Sequence, residues 1–207
     1  MIKTQFKRGD KALVIVAHPD DETIWMGGFI LSHPELRWTV FSLCRASDTD
    51  RAPKFRRICQ ALGARAIITD LDDEGRISER QALPQIEKLI GHKIGAKRFD
   101  LVFTHGANGE YGHPRHKSVH RTVKKLACAG KIKAEKVLFF NYKKISKYKL
   151  TAKKNSDLIS KLSSAQFKKK LRLMTDIYGF APDGIDTGFC TNPEAFQILN
   201  KHLTSDN

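Results

Sequence analysis

Apolar residues along the chain fall into two kinds of run, and the two kinds alternate. Lys11–Ala17 (KALVIVA) is a continuous aliphatic stretch, as a strand buried on both faces requires. Glu22–Leu31 reads as a helix and Arg37–Leu43 (RWTVFSL) as a second strand. Pro53–Leu62 spaces Phe55, Ile58, Cys59 and Leu62 as a helical stripe, with Pro in its first turn and Gly63 after its end. Arg65–Thr69 predicts a third strand. Leu83–Ile94 predicts a helix with Pro84 near its start, and Phe99–Thr104 (FDLVFT) a fourth strand. A helix over Pro114–Ala129 and a fifth strand over Lys136–Asn141 follow. Beyond Tyr142 the pattern weakens. Ile145–Leu150 reads as an edge strand, Asp157–Ile177 as a basic helix, Gly179–Asn192 as a loop and Pro193–Leu203 as a terminal helix. This order predicts an α/β protein whose mostly parallel sheet of five or more strands carries helices on both faces. There is no internal repeat, and the 207 residues suit one domain with a basic C-terminal third from about residue 142.

In parallel sheets, ligands bind at the carboxyl ends of the strands. The first strand runs into Ala17-His18-Pro19-Asp20-Asp21-Glu22, and the fourth into Thr104-His105 and then Glu110-Tyr111-Gly112-His113-Pro114-Arg115-His116. Imidazole and carboxylate are the ligand set of Zn²⁺ and related divalent metals. A strand-to-helix turn brings His18 and Asp21 to one centre. A third ligand from the later segment leaves a position open for water, whose proton the adjacent Asp20 can take. Each segment alone also has a plainer reading, HPDD as a capping turn and HPRH as a helix start with surface histidines.

Composition narrows the classes. Apolar residues make up 41% and charged residues 29%, which excludes a disordered or collagen-like chain. The four cysteines form no Cys-x-x-Cys pair and sit among apolar neighbours, so buried free thiols are expected rather than a zinc ribbon or redox motif. The apolar run Ala12–Ala17 is too short for a membrane span or signal core, and a cytoplasmic location is expected. The net charge of +15 is concentrated: residues 117–172 hold 18 Lys and Arg against Glu135 and Asp157 alone.

With AHPDDE after a first strand and GEYGHPRH after a later one, the chain resembles the PIG-L/LmbE-like family of metal-dependent N-deacetylases. The strand–motif order from Lys11 to about Asn141 fits as well. The resemblance implies a Rossmann-like fold and hydrolysis of the N-acetyl group of an N-acetylglucosamine-type sugar or conjugate. It implies His18, Asp21 and His116 as ligands of Zn²⁺, with Fe²⁺ or another divalent metal as the alternative. It also implies Asp20 as general base, His113 as oxyanion donor or acid, and Tyr111 beside the substrate. The family often carries Asp where this chain has Arg115, a change expected to disfavour the imidazolium form of His113. Arg115 itself is assigned to the substrate side. An Asp-Gly common in the family points to Asp73 among Asp72, Asp73 and Glu74 as a sugar contact. Arg45, after the second strand, can hold an anionic group of the substrate.

The basic segment has several readings. It can be a solvated face, a field for a phosphorylated, nucleotide- or lipid-linked sugar, or a docking surface on anionic lipid through the helix near 157–177, at the inner face of the membrane. Nucleic acid fits the charge, but no recognition motif or aromatic platform accompanies it. Two other functions stay open: a non-haem iron oxygenase, which shares the two-His-one-carboxylate set, and a basic binding protein whose metal site is not catalytic.

Overall fold

A computed structural model describes residues 6–200 of the chain. The strands are β1 (Lys11–Val16), β2 (Arg37–Cys44), β3 (Arg65–Leu71), β4 (Arg98–Thr104), β5 (Lys133–Phe140), β6 (Tyr142–Ser146), β7 (Lys149–Ala152), β8 (Leu158–Ser160) and β9 (Glu194–Ile198). The helices are α1 (Asp21–Ser32), α2 (Arg51–Ala61), α3 (Glu79–Ile94), the one-turn α4 (Gly109–Gly112), α5 (Pro114–Cys128), α6 (Ser164–Arg172) and the one-turn α7 (Ile185–Gly188), with a π-helical turn over Leu173–Tyr178 after α6.

Seven strands form one sheet in the order β3-β2-β1-β4-β5-β9-β8. β1 to β5 run parallel, and β9 runs antiparallel to both β5 and β8. The aliphatic run of β1 lies at the middle of this sheet, so every residue from Ala12 to Val16 is fully buried. Helices α1 and α2 and the π-helical turn cover one face, and α3 and α5 the other, which divides the apolar interior into two cores. The chain steps outward from β1 to β2 and β3, then crosses back to β4 on the other side of β1. The ends of β1 and β4 therefore open the crevice where such sheets bind ligands.

The C-terminal part departs from the sequence expectation. Asp157–Ile177 is not one helix: Leu158–Ser160 pairs with β9, and a capping box of Ser163 and Gln166 starts α6 afresh. Its apolar positions face inward. Leu162, Leu173 and Met174 are buried, and Leu158, Phe167 and Leu171 pack against the core, so this segment has no apolar face to lay on a membrane. Pro193–Leu203 is not a terminal helix either, because Glu194–Ile198 is the strand β9; short apolar runs do not separate strand from helix by periodicity. Positions 201–203 of that expected helix, with His202, lie outside the described residues. Ile145–Leu150 is no edge of the main sheet but the tip of a separate hairpin, β6–β7. α3 starts at Glu79 behind a Ser78–Gln81 capping box, which leaves Pro84 inside the helix. Cys44, Cys59 and Cys190 are buried as expected, but Cys128 is exposed.

Helix α1 is broken at Met26 (φ −151°), and the break is fully partnered. The Tyr142 hydroxyl donates to the Trp25 carbonyl. The freed amides of Gly28 and Phe29 donate to the two carboxylate oxygens of Glu194, at 3.0 and 2.6 Å. Lys170 neutralises that carboxylate at 2.7 Å, with both side chains at 0% exposure. The Leu162 side chain, just before α6, stands where a side chain on Gly28 would be.

Candidate functional site

The turn after β1 is strained where the chemistry lies. Among the described residues, the non-glycine positions with left-handed φ are Asp20 (115°), Arg45 (73°) and Glu110 (56°), and all three belong to the crevice or its immediate support. The turn leads into α1, and the α4–α5 junction after β4 carries His113 and His116 to the same place.

Donor atoms of three side chains converge there, the two histidines facing different oxygens of Asp21. His18 Nδ1 lies 3.2 Å from Asp21 Oδ2 and 3.2 Å from His116 Nε2, and His116 Nε2 lies 3.3 Å from Asp21 Oδ1. A tetrahedral ion with ligands at about 2.0–2.1 Å sets them roughly 3.3 Å apart. Neighbouring carboxylates fix the tautomers. His18 Nε2 faces Asp73 Oδ1 at 2.7 Å and His116 Nδ1 faces Glu110 Oε2 at 2.7 Å, so each ring turns one N–H outward and aims its other nitrogen at the common point. Asp21 is held by the Trp25 indole N–H on Oδ1 and the His18 amide on Oδ2, both at 2.8 Å. Three lone-pair donors this close repel unless positive charge sits among them. Without an ion, Asp21 and Asp73 outweigh burial and raise the titration of His18 to about 10, so a proton between His18 and Asp21 supplies the positive charge that an ion would bring. The donors therefore fit a divalent metal.

Two further histidines come near and are excluded as ligands by their hydrogen bonds. His105, Asp21 and His116 approach within 4.8 Å of one another, as do His18, His113 and His116. His105 Nε2 already accepts the Ala17 amide at 3.0 Å, and its Nδ1–H serves Glu110 at 2.9 Å. His113 Nδ1 caps α5 by accepting the Arg115 amide at 3.2 Å, which leaves its proton on Nε2. Burial, with His116 and His18 alongside, lowers the titration of His113 to about 4, so it is a neutral hydrogen-bond donor at neutral pH. The cause is not Arg115 as expected: the Arg115 guanidinium points to Asp72 at 3.7 Å.

The cleft above this point has a volume of about 200 Å³ and is lined by His18, Asp20, Arg45, Arg51, Tyr111 and His113, among others. Asp20 accepts from Arg51 at 3.0 Å. Burial and the Asp21 carboxylate raise Asp20 well above the usual carboxylate range, against His18 and Arg51. Tyr111 stacks on Phe189 with ring centroids 5.0 Å apart. Arg45 bonds Asp73 at 3.0 Å and Asp48 at 3.3 Å. Asp73 reaches the cleft, but its oxygens are taken by His18 and Arg45, and Arg115 is buried outside the cleft lining.

Sequence reasoning missed four residues. Glu110 holds both His105 and His116 through Oε2 and the Gly106 amide through Oε1, and burial notwithstanding it is pulled down to about 2 by those partners. It stood in the quoted segment six positions before His116, and a carboxylate behind a ligand histidine was the available signal. Arg51, Asp186 and Phe189 line the cleft from α2 and from the C-terminal part, where no motif marks them.

The sequence profile of the PIG-L family, described as GlcNAc-PI de-N-acetylase, matches residues 13–127. An uncharacterised protein of Acanthamoeba polyphaga mimivirus is 28% identical over 136 residues, 58% of each chain. The N-acetylglucosaminyl-phosphatidylinositol de-N-acetylase of Bos taurus is 26% identical over 134 residues, 60% of this chain and 53% of its own. The chain thus aligns with little more than half the length of these relatives. Among solved structures, the N,N'-diacetylchitobiose deacetylase of Pyrococcus horikoshii superposes with a TM-score of 0.71 over 98% of this chain and 88% of that one, at 14% identity. The 4-carboxy-2-hydroxymuconate hydratase of Pseudomonas putida does so with 0.64 over 96% and 99%, also at 14%. At such identity the likeness concerns the fold, which a deacetylase and a hydratase share.

Proposed function

Because the chain belongs to the PIG-L family, we propose that it is a metal-dependent N-deacetylase, releasing acetate and a free amine from an N-acetylglucosamine-type sugar or conjugate. The observation that carries this reading is the convergence of His18 Nδ1, the Asp21 carboxylate and His116 Nε2 on one point at the floor of the cleft. These three would hold the ion, Zn²⁺ or another divalent metal. Once bound, it supplies a Lewis acid for the acetamide carbonyl and eases ionisation of the attacking water.

The remaining chemistry belongs to the chain. Asp20 takes the proton of the attacking water on a carboxylate oxygen. Arg51 fixes the direction of that carboxylate. His113 Nε2–H donates to the oxygen on which charge develops, the arrangement its capping bond prepares. Because His113 stays neutral, Asp20 is also the group that returns the proton to the departing amine. Tyr111 and Phe189 form an apolar wall beside the acetamide. The Arg45 and Arg51 guanidiniums at the mouth suit a substrate bearing an anionic group.

The test is acetate release from N-acetylglucosamine conjugates, neutral and phosphorylated, by protein loaded with Zn²⁺ and by protein stripped with a chelator. Release is expected from the loaded protein, without oxygen, and is expected to vanish on stripping and return on reloading. Failure of all such substrates with a fully loaded site would overturn the reading, and a strict need for oxygen would favour the oxygenase alternative. Glu110→Gln is expected to weaken Zn²⁺ binding about 10–100-fold, because a buried amide has one acceptor oxygen, so its NH2 must face at least one of the three donors that Glu110 now satisfies. Competition against a chromophoric chelator measures this, and unchanged affinity would remove Glu110 from the support of the site.

A further inference from the structure

We propose that the β6–β7 hairpin and α7 form a docking surface for an anionic lipid bilayer, with the mouth of the cleft beside it. Among the described residues, three large hydrophobic side chains are exposed: Ile145 at 55%, Tyr148 at 46% and Ile185 at 48%. All three lie at one corner of the molecule. Ile145 and Tyr148 stand on the hairpin, and Ile185 begins α7, which packs so closely against it that a side chain on Gly188 would meet the Tyr148 carbonyl at 3.1 Å.

Lysines surround the two hairpin side chains, while Ile185 stands between Asp183 and Asp186. Lys143, Lys144, Lys147, Lys149 and Lys154 are exposed on or beside the hairpin, and no acidic residue occurs between Glu135 and Asp157. Lys147 lies over the Tyr148 ring, 5.0 Å from its centroid. The hairpin is a two-stranded sheet of its own, anchored by buried Tyr142 and Leu150, so its outer residues have no sheet neighbour. Isoleucine and tyrosine tips set among lysines match the boundary of an anionic bilayer, where apolar atoms enter the acyl region and ammonium groups meet phosphate. A nucleic acid would leave both isoleucines in water, and a second copy of the chain would set lysine against lysine. No helix among the described residues is long and apolar enough to cross a membrane, so attachment here lies in the surface plane.

The same elements frame the cleft. α7 contributes Asp186, and Phe189 follows it; both line the cleft. Asn108, just before α4, donates to the Tyr142 carbonyl at the hairpin root, and Tyr111 of α4 stacks on Phe189. A molecule seated on lipid by this corner presents the cleft mouth at the headgroup layer.

The test is co-sedimentation of the full chain with vesicles of phosphatidylcholine alone and of phosphatidylcholine with phosphatidylserine. Binding is expected to the anionic vesicles only and to weaken with salt. The triple variant Ile145→Ser, Tyr148→Ser, Ile185→Ser keeps every lysine and is expected to bind at least about tenfold more weakly, with unchanged thermal unfolding and unchanged turnover of a water-soluble substrate. Absence of binding to anionic vesicles would overturn the proposal. So would equal binding by the triple variant, which reduces the surface to charge alone. A dimer that the triple substitution dissociates would assign the corner to a second copy, and RNA binding that the substitution abolishes would assign it to nucleic acid. The vesicle, oligomer and RNA readouts do not depend on deacetylation.

Discussion

Asp20→Asn is expected to lower acetate release by about 10³-fold while the protein keeps its metal. The substitution removes the group that accepts the proton but preserves shape, the contact to Arg51 and tolerance of the left-handed φ of 115° at this turn. Asp20→Ala loses the same chemistry but adds strain, because alanine is disfavoured at that φ. The three donors of the metal point do not include Asp20, so Zn²⁺ content should match the wild type by elemental analysis. A variant that holds full metal and releases acetate at the wild-type rate would refute Asp20 as the base. A variant that loses its metal would place Asp20 among the ligands instead.

Lys170→Met is expected to destabilise the fold by about 3–5 kcal/mol. Lys170 and Glu194 are both fully buried at 2.7 Å, and Glu194 also caps the amides of Gly28 and Phe29 at the break in α1. Removing the lysine leaves a carboxylate in the core without its countercharge. For a chain of this size that corresponds to a fall in Tm of roughly 10 °C. The double variant Lys170→Met, Glu194→Gln should regain part of the loss, since the remaining amide oxygen still accepts from α1 and no charge stays buried. Denaturation of the wild type and the two variants measures both effects. A single variant within about 1 kcal/mol of wild type would show that the pair does not hold the break. The break matters to the site because Trp25, one residue before Met26, holds Asp21 through its indole.

The parts legible in the sequence share one property: their signals are local. Lys11–Ala17 reads as a doubly buried strand from its own composition, and it is an interior strand between β2 and β4. The positions of His18, Asp20 and Asp21 follow, because a parallel strand ends at the ligand-binding edge whatever surrounds it. His113 and His116 read similarly from a proline-started helix after β4. The parts not legible depend on partners distant in sequence. Leu158–Ser160 and Glu194–Ile198 are too short and mixed to declare themselves, and become strands because each finds the other and β9 finds β5. Asp73 lines the cleft, but its bonds to His18 and Arg45 come from remote segments, and Arg115, assigned to the substrate side, is buried by α5 outside the cleft lining.

The sequence by itself determined which side chains stand at the sheet edge, since chain direction and residue order place them there without reference to anything remote. Only the tertiary structure decided what each can do. The tautomers of His18 and His116 are set by carboxylates 55 and 6 positions away. The neutrality of His113 is set by burial and by histidines from two segments. The outward apolar corner is whatever the core left uncovered. Protonation, tautomer and exposure depend on the field and packing of neighbours in space, and those exist only once the chain has closed on itself.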